Sequence, residues 1–382
     1  MFAIPAAKSQ RDPRIDVLRG LALAMIFVDH IPADVLNTVT MHNFGFCDAA
    51  EVFVLLAGMS SMLAYGKVFQ RDGMMSGLRK IAIRCGRIYV FQLGLMLATI
   101  CIVLIWSHLD HFTPKAIAPI LGKPVAGLAH GLTLGALPEY LDILPLYIVL
   151  LACFPLIHAG IGRSRVLTLC ASAVVWLAAN FFPAFDLPNW MNGQGWYFNP
   201  FAWQFLFTIG ALLAVNMAKH RGSLPNFFAG RYLAAGFLAF AYLQSFPWHD
   251  WNLPDLRLFV MVPPDKSTLA LLRILDILAL IYLLFSSPSF HRLVHRAWFR
   301  PVEACGRHSL EVFSVGCLLA LFGRLEFHTA GHTVLQEVVV NLLGFGTMAF
   351  VGLWLDRDHS RPGWAALPTG RHRNASVLQV PR

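Results

Sequence analysis

Charge is scarce in this sequence. Asp, Glu, Lys and Arg make up 13% of the 382 residues, against roughly 25% in a soluble domain. Hydrophobic residues reach 57%, and several apolar runs approach the ~20 residues needed to cross a bilayer. An ordinary soluble core is thereby excluded, and a polytopic membrane protein is expected. Paired cysteines are also missing: the seven (Cys47, Cys85, Cys101, Cys153, Cys170, Cys305, Cys317) are odd in number, with no CxxC spacing. That excludes a disulfide framework and a zinc site. His108 with His111 and His291 with His295 lack the further ligands a metal needs. There is no P-loop, GxGxxG or GxSxG, and no internal repeat of the kind many transporters carry. No metal and no tightly bound cofactor is expected.

Ten apolar segments read as spans, at about 15–34, 49–66, 85–106, 138–158, 166–183, 200–217, 231–247, 268–286, 309–323 and 334–355. The ninth is short and reads as tilted or re-entrant. The first is a retained helix, since Arg19 breaks its apolar stretch and no A-x-A-like cleavage site follows. With the N-terminus inside, 23 of the 30 Lys and Arg residues fall on inner segments. Only Lys115, Lys123, Arg257, Lys266 and Arg324 fall on outer loops, while Arg19 and Arg273 lie within spans. This asymmetry is the positive-inside pattern, and it accounts for the net charge of +9 without a nucleic-acid partner. The expectation is an all-α transmembrane bundle over residues 1–356 with both termini cytoplasmic. Residues 357–382 are expected to form a disordered inner tail, where the Asn374 sequon has no role.

Ionisable groups in a span cost about 2.5–3.5 kcal/mol each on insertion scales, so each calls for a function. The stretch Arg14–Pro32, RIDVLRGLALAMIFVDHIP, holds Asp16, Arg19, Asp29 and His30. Eleven residues separate Arg19 from His30, three turns plus about 20°, so both lie on one face, roughly 16 Å apart along the axis. Asp16 shares that stripe, whereas Asp29 points roughly 80° away from Arg19. An arginine at the inner end suits phosphates or an acyl carbonyl. A histidine further out suits proton removal from a hydroxyl. Asp48 and Glu51, one turn apart at the mouth of span two, are placed to orient that imidazole or meet an acceptor. They equally suit acids favouring a helix dipole.

Other clusters follow the same outer and inner division. Glu139 and Asp142 sit at the outer mouth of span four; Asn199, Trp203 and Gln204 open span six. Lys266 stands outside span eight, with Arg273 and Asp276 deeper as i,i+3 neighbours that suit an ion pair or a ligand. Ser309 reads as an N-cap of span nine beside Arg307 and His308. Arg84 and Arg87 supply inner charge, for phosphate binding or for topology alone. The outer loops are rich in Asn and Trp, fitting either a carbohydrate surface or interface anchoring. Gly45 and Gly58 are compatible with close backbone approach.

IDVLRGLALAMIFVDHIP followed by NFGFCDAAEVFVLLAG resembles the opening of the OpgC family, membrane proteins that succinylate osmoregulated periplasmic glucans. LPEYLDILPLY, NPFAWQ, DKSTLALLR and CGRHSLEVF resemble the same family in the same order, over about residues 11–325. The Arg19–His30 spacing is also similar to an Arg–His pair of the wider acyltransferase-3 superfamily. The resemblance implies a multi-pass O-acyltransferase of the bacterial inner membrane, with succinyl-CoA or another acyl-CoA as cytoplasmic donor and a periplasmic glucan as acceptor. His30 is then the base, with Asp29, Asp48 and Glu51 around it. Arg19, Asp16, Arg84, Arg87, Arg307 and Ser309 are donor-side residues. Asn43, Glu139, Asp142, Asn199, Trp203, Gln204, Lys266 and Arg273 are acceptor-side residues. The expected partners are the lipid bilayer, acyl-CoA and glucan, with a homo-oligomer left open. A polytopic transporter or flippase is the alternative for the same polar groups.

Overall fold

The computed structural model describes residues 12–32, 34–110, 117–220 and 222–359. His111 of the HLDH pair, Lys115 and the tail from residue 360 lie outside them.

Helix α1 (Pro13–Asp29) starts where the Asp12 side chain accepts from Arg14 N at 3.0 Å and Pro13 fills the first turn. Both satisfy a helix start, the carboxylate by capping a free N–H and the proline by lacking one. His30 ends the helix, two residues before Pro32. Two 3-10 turns, Val35–Val39 and Met41–Asn43, lead to α2 (Ala49–Asp110). This 62-residue element is broken at Gly73, whose φ of 82° is open to glycine. The basic segment 67–84, expected as a loop between spans two and three, is therefore helical up to and beyond a sharp elbow.

Short helices α3 (Ala118–Gly122) and α4 (Pro124–Leu132) precede α5 (Ile143–Arg163) and α6 (Arg165–Phe181). A two-residue antiparallel ribbon, β1 (Pro188–Asn189) with β2 (Gln194–Gly195), interrupts an otherwise helical chain. Then come α7 (Pro200–Lys219), α8 (Phe228–Ser245), α9 (Leu271–Ser286), α10 (Pro288–Val294), α11 (Arg300–Arg307), α12 (Ser309–Thr329) and α13 (Val334–His359). The all-α expectation holds, and each of the ten expected spans falls on a helix, two of them within α2. Their edges move. Span four starts at Ile143, leaving Glu139 and Asp142 in the preceding turn. Span nine, expected to be short, is the 21-residue α12. Its N-cap is His308 with no side-chain cap bond, so Ser309 is a first-turn residue and not the cap.

Four helical stretches among the described residues are long and apolar enough to cross a membrane: Ala49–Leu109, Ile143–Arg163, Pro200–Lys219 and Val334–Arg357. A fifth arises if α9 and α10, bent by 80°, are one span. The surface agrees with this, for α13 alone exposes Val334, Leu335, Leu342, Leu343, Phe350 and Trp354. A soluble monomer does not leave so much contiguous apolar surface in water. All seven cysteines are free.

Inside, α1, α2 and α7 meet through fully buried Phe27, Leu55, Leu56, Met59, Trp203 and Phe207. The α2–α7 crossing is set by two glycines. A Cβ on Gly58 would stand 2.0 Å from the Phe207 carbonyl oxygen, and one on Gly210 would stand 2.1 Å from that of Leu55. Small residues that admit a facing backbone are how membrane helices gain contact area. Because the obstacle is backbone on both sides, Gly58→Val is expected to cost at least the ~3 kcal/mol upper end of overpacking. Thermal unfolding in detergent checks this, and an unchanged midpoint would contradict the tight crossing.

Candidate active site

Helix α1 carries a cavity at each end. At the C-terminal end, about 700 Å3 is lined by Ile26, Asp29 and His30 of α1 and its cap, Asp48, Ala49 and Ala50 at the start of α2, and Glu139, Tyr140, Asp142 and Ile143 before and in α5. Asn189, Met191, Asn192, Tyr197 and Phe198 of the ribbon loop, Lys266 and Phe313 complete the wall. Glu139, Asn192 and Tyr197 are exposed at its rim, whereas Ala49, Ala50, Ile143 and Phe313 are buried at its base. At the other end, about 1060 Å3 is lined by Pro13 of α1, Arg84, Arg87, His295, Arg296, Arg300, Glu303, Arg307, His308, Ser309, Leu310, Glu311 and Asp356.

In the first cavity the His30 ring packs against Tyr140, with centroids 4.5 Å apart. Its Nδ1 is buried without a hydrogen-bond partner among the described residues. The expected orienting carboxylates do not reach it, being committed to two cations. Lys266 Nζ lies 2.6 Å from Asp48 Oδ2, and Arg273 reaches Asp48 at 3.1 Å and Glu51 Oε1 at 2.6 Å. Burial works against the Asp48 carboxylate, but Lys266 and Arg273 together hold its pKa below the usual range. Burial likewise works against the Lys266 ammonium, and Asp48 and Glu51 outweigh it and raise its pKa. Glu51 is 0% exposed and does not line the cavity, so its side chain supports Arg273 and does not contact an acceptor.

The i,i+3 pair expected between Arg273 and Asp276 is not made. Arg273 turns to α2, and Asp276 Oδ2 instead accepts from Cys47 N at 2.9 Å. Arg273 itself stays off the cavity wall. Asp29, expected to face elsewhere, does line the cavity, because the chain folds back over it and places His42 Nδ1 3.3 Å from its Oδ1. Asn43 does not line it, and its amide donates to Asn37 O at 2.6 Å.

Span six serves the cavity indirectly. Asn199 caps α7, accepting from Phe201 N and Ala202 N. Trp203, fully buried, donates Nε1–H to the carbonyls of Lys266 and Ser267, at 3.2 and 3.1 Å. From α6, Trp176 and Asn180 donate to the carbonyls of Leu269 and Thr268. Gln204 ties α7 to Ser172 on α6. Trp203, Trp176 and Asn180 grip the backbone of 266–269, which fixes where Lys266 projects, and none of Asn199, Trp203 and Gln204 lines the cavity. Asn189 braces the opposite wall by pairing with both N–H and C=O of Leu137.

The second cavity is rich in arginine. Arg307 pairs with Glu303, with Asp356 at 3.0 Å and with Asp16 at 3.9 Å, so it binds α1, α11 and α13 together. Asp16 is buried, does not line the cavity, and acts through Arg307. Arg87 pairs with Glu311. Arg84, Arg296 and Arg300 have no carboxylate within 4 Å among the described residues. Glycine makes the α1–α11 contact close, since a Cβ on Gly306 would lie 1.7 Å from the Asp16 carbonyl oxygen.

Arg19 lies in neither cavity. Among the described residues its guanidinium makes one long hydrogen bond, 3.5 Å to Leu56 O, its Nε has no partner, and its carbon lies 5.9 Å from the Phe53 ring centroid. Phe53 is one turn beyond Ala50, which lines the His30 cavity. On α12 the two cavities approach within a turn: Leu310 lines the arginine cavity and Phe313 the His30 cavity, about 4.5 Å of rise apart on nearly the same face.

Sequence reasoning missed Tyr140, Arg296, Arg300 and Arg324 as site residues. Arg324, assigned to an outer loop, sits inside α12 with its guanidinium carbon 4.2 Å from the Tyr140 ring centroid. Extending the ninth apolar segment past residue 323 would have put this charge inside a helix instead of a loop.

Apolar helices that can cross a bilayer mark a helical membrane protein, and one of its helices carries a polar cavity at each end. Over residues 11–360 the chain matches the family model described as OpgC protein, and it belongs to the OpgC family. That family modifies osmoregulated periplasmic glucans and names a glucan succinyltransferase, so the chain is an enzyme of glucan modification. No curated protein and no solved structure matches it.

Proposed function

We propose that the protein moves a succinyl group from cytoplasmic succinyl-CoA, held in the arginine cavity, to a hydroxyl of a periplasmic glucan held in the His30 cavity. It does so from the bacterial inner membrane, crossing it ten times with both termini in the cytoplasm. The Arg19–His30 spacing supports reading it as a member of the wider acyltransferase-3 superfamily. The observation that carries the reading is that α1 and α12 each line both cavities, with one helical turn between them on α12.

In the step itself, the His30 imidazole takes the proton of the sugar hydroxyl as its oxygen attacks the thioester carbonyl carbon. A C–O ester bond forms, the C–S bond breaks, and the coenzyme A thiolate leaves with the proton from the imidazolium. Tyr140, Tyr197 and Phe198 offer aromatic faces to sugar rings, and Asp142, Glu139 and Asn192 offer hydrogen-bond acceptors to hydroxyls. Arg84, Arg296 and Arg300, without carboxylate partners, suit the coenzyme's phosphates. Arg87 and Arg307 hold the cavity's shape.

Inverted membrane vesicles loaded with glucan and given succinyl-CoA outside test transfer across the membrane. Succinyl esters on the lumenal glucan are expected. Esters formed only when donor and glucan share a compartment would overturn the crossing. Glucan that is never substituted would favour the transporter or flippase. In the same vesicles, replacing Arg84, Arg296 and Arg300 together by Gln is expected to raise the KM for succinyl-CoA about tenfold, with a smaller change in kcat. These groups are solvent-accessible, so high salt should weaken wild-type donor binding in the same direction.

A further inference from the structure

Among the described residues four carboxylates line the His30 cavity, Asp29, Asp48, Glu139 and Asp142, and the one lysine or arginine lining it, Lys266, is already paired with Asp48. One further cation has a charge that reaches the His30 imidazole, and it is Arg324. Arg324 lies on α12, half-buried behind Tyr140 and not itself on the cavity wall, with no carboxylate within 4 Å among the described residues. Its guanidinium carbon sits 4.2 Å from the Tyr140 ring centroid, and that ring lies 4.5 Å from the His30 ring. Tyr140 therefore connects the two.

Tyr140 is held there against its own preference. Its φ is 70°, a left-handed conformation that a tyrosine adopts only when its surroundings over-determine it. Those surroundings are the Leu141 N to Pro138 O turn bond at 3.1 Å, the Asn189 clamp on Leu137, and Cys317 of α12, whose Sγ lies 3.9 Å from the Tyr140 carbonyl. The Tyr140 side chain, through its ring face and a hydrogen bond, satisfies the Arg324 guanidinium only in part. Its five N–H donors lie in the plane of the fork and match a carboxylate, two bonds at a time.

We propose that Arg324 determines acyl specificity, its guanidinium receiving the free carboxylate at the far end of a dicarboxylic acyl group whose thioester carbonyl stands at His30. The proposal rests on the acyl-transfer reading above. Cavity chemistry gives it a reason: a carboxylate entering past four acids needs one cation that no carboxylate already neutralises. An acetyl group, with no second carboxylate, would leave that cation unanswered.

Membranes containing matched amounts of wild type or Arg324→Met are given glucan with equal concentrations of succinyl-CoA and acetyl-CoA. Mass spectrometry reads the ratio of succinyl to acetyl esters, which a general loss of folded protein does not move. Wild type is expected to favour succinyl, and the variant's ratio is expected to fall about 10- to 100-fold, as for loss of a charge-assisted hydrogen bond. Arg324→Lys, which keeps the charge but not the fork, is expected in between, and it carries the test if the Met variant does not accumulate. An unchanged ratio in either variant, or a wild type that favours acetyl, overturns the proposal alone. A wild type that transfers neither group overturns the acyl-transfer reading and this proposal with it.

Discussion

Replacing His30 by Ala is expected to lower kcat for glucan acylation by about 10²–10⁴-fold, the range a positioned general base supplies. That corresponds to about 3–5 kcal/mol in the barrier. Folding should survive the change. His30 caps α1 through its backbone, whose N–H donates to the Ile26 carbonyl at 3.0 Å, and alanine keeps that bond. The side chain contributes the contact with Tyr140, worth about 0.5–1.5 kcal/mol for a ring pair, and its Nδ1 gives up no hydrogen bond. The measurement is ester content of glucan at equal membrane levels of the two proteins. Acylation in the variant equal to wild type would remove His30 from the chemistry, and residual donor hydrolysis without glucan esters would separate acceptor activation from donor binding.

How far the site could be read in advance follows from the range of each interaction. The Arg19–His30 stripe was legible because helical periodicity is local, and α1 keeps its geometry through the His30 cap. The grouping of Asp48, Asp142 and Lys266 near His30 followed from placing the outer ends of spans together. The partners of the charges were not legible. Arg273 finds Glu51 across 222 residues, and Arg307 finds Asp356 across 49. Spacing within one helix could only suggest the Arg273–Asp276 pair that the fold does not form. The NPFAWQ residues were named for the acceptor because Asn, Trp and Gln suit sugars, yet their polar atoms are spent on α7 capping, on the 266–269 backbone and on Ser172. Charge density made 67–84 look like a loop, whereas its Lys, Arg, Met and Leu are good helix formers and only Gly73 breaks the run.

Arg273→Met should be the most damaging change to stability at this end of the bundle. Arg273, Lys266, Asp48 and Glu51 form a neutral set of two cations and two anions, and Glu51 is wholly inaccessible to water. Removing the guanidinium leaves Glu51 with the Asp48 N–H at 2.9 Å, and Asp48 with Lys266 and the Ala50 N–H at 2.8 Å. Breaking a buried pair in this way costs about 3–5 kcal/mol, because the surviving charge keeps its desolvation penalty. The single variant is expected to melt well below wild type in detergent and to lose acylation, since Asp48 also anchors Lys266 in the cavity wall. Glu51→Leu combined with Arg273→Met removes both charges of the closer pair, and most of the lost stability should return. A double variant no more stable than the single one would mean that the pair does more than neutralise itself. Recovery of the melting temperature without recovery of acylation would assign Arg273 to positioning Asp48 and Lys266, separate from its part in holding α9 against α2.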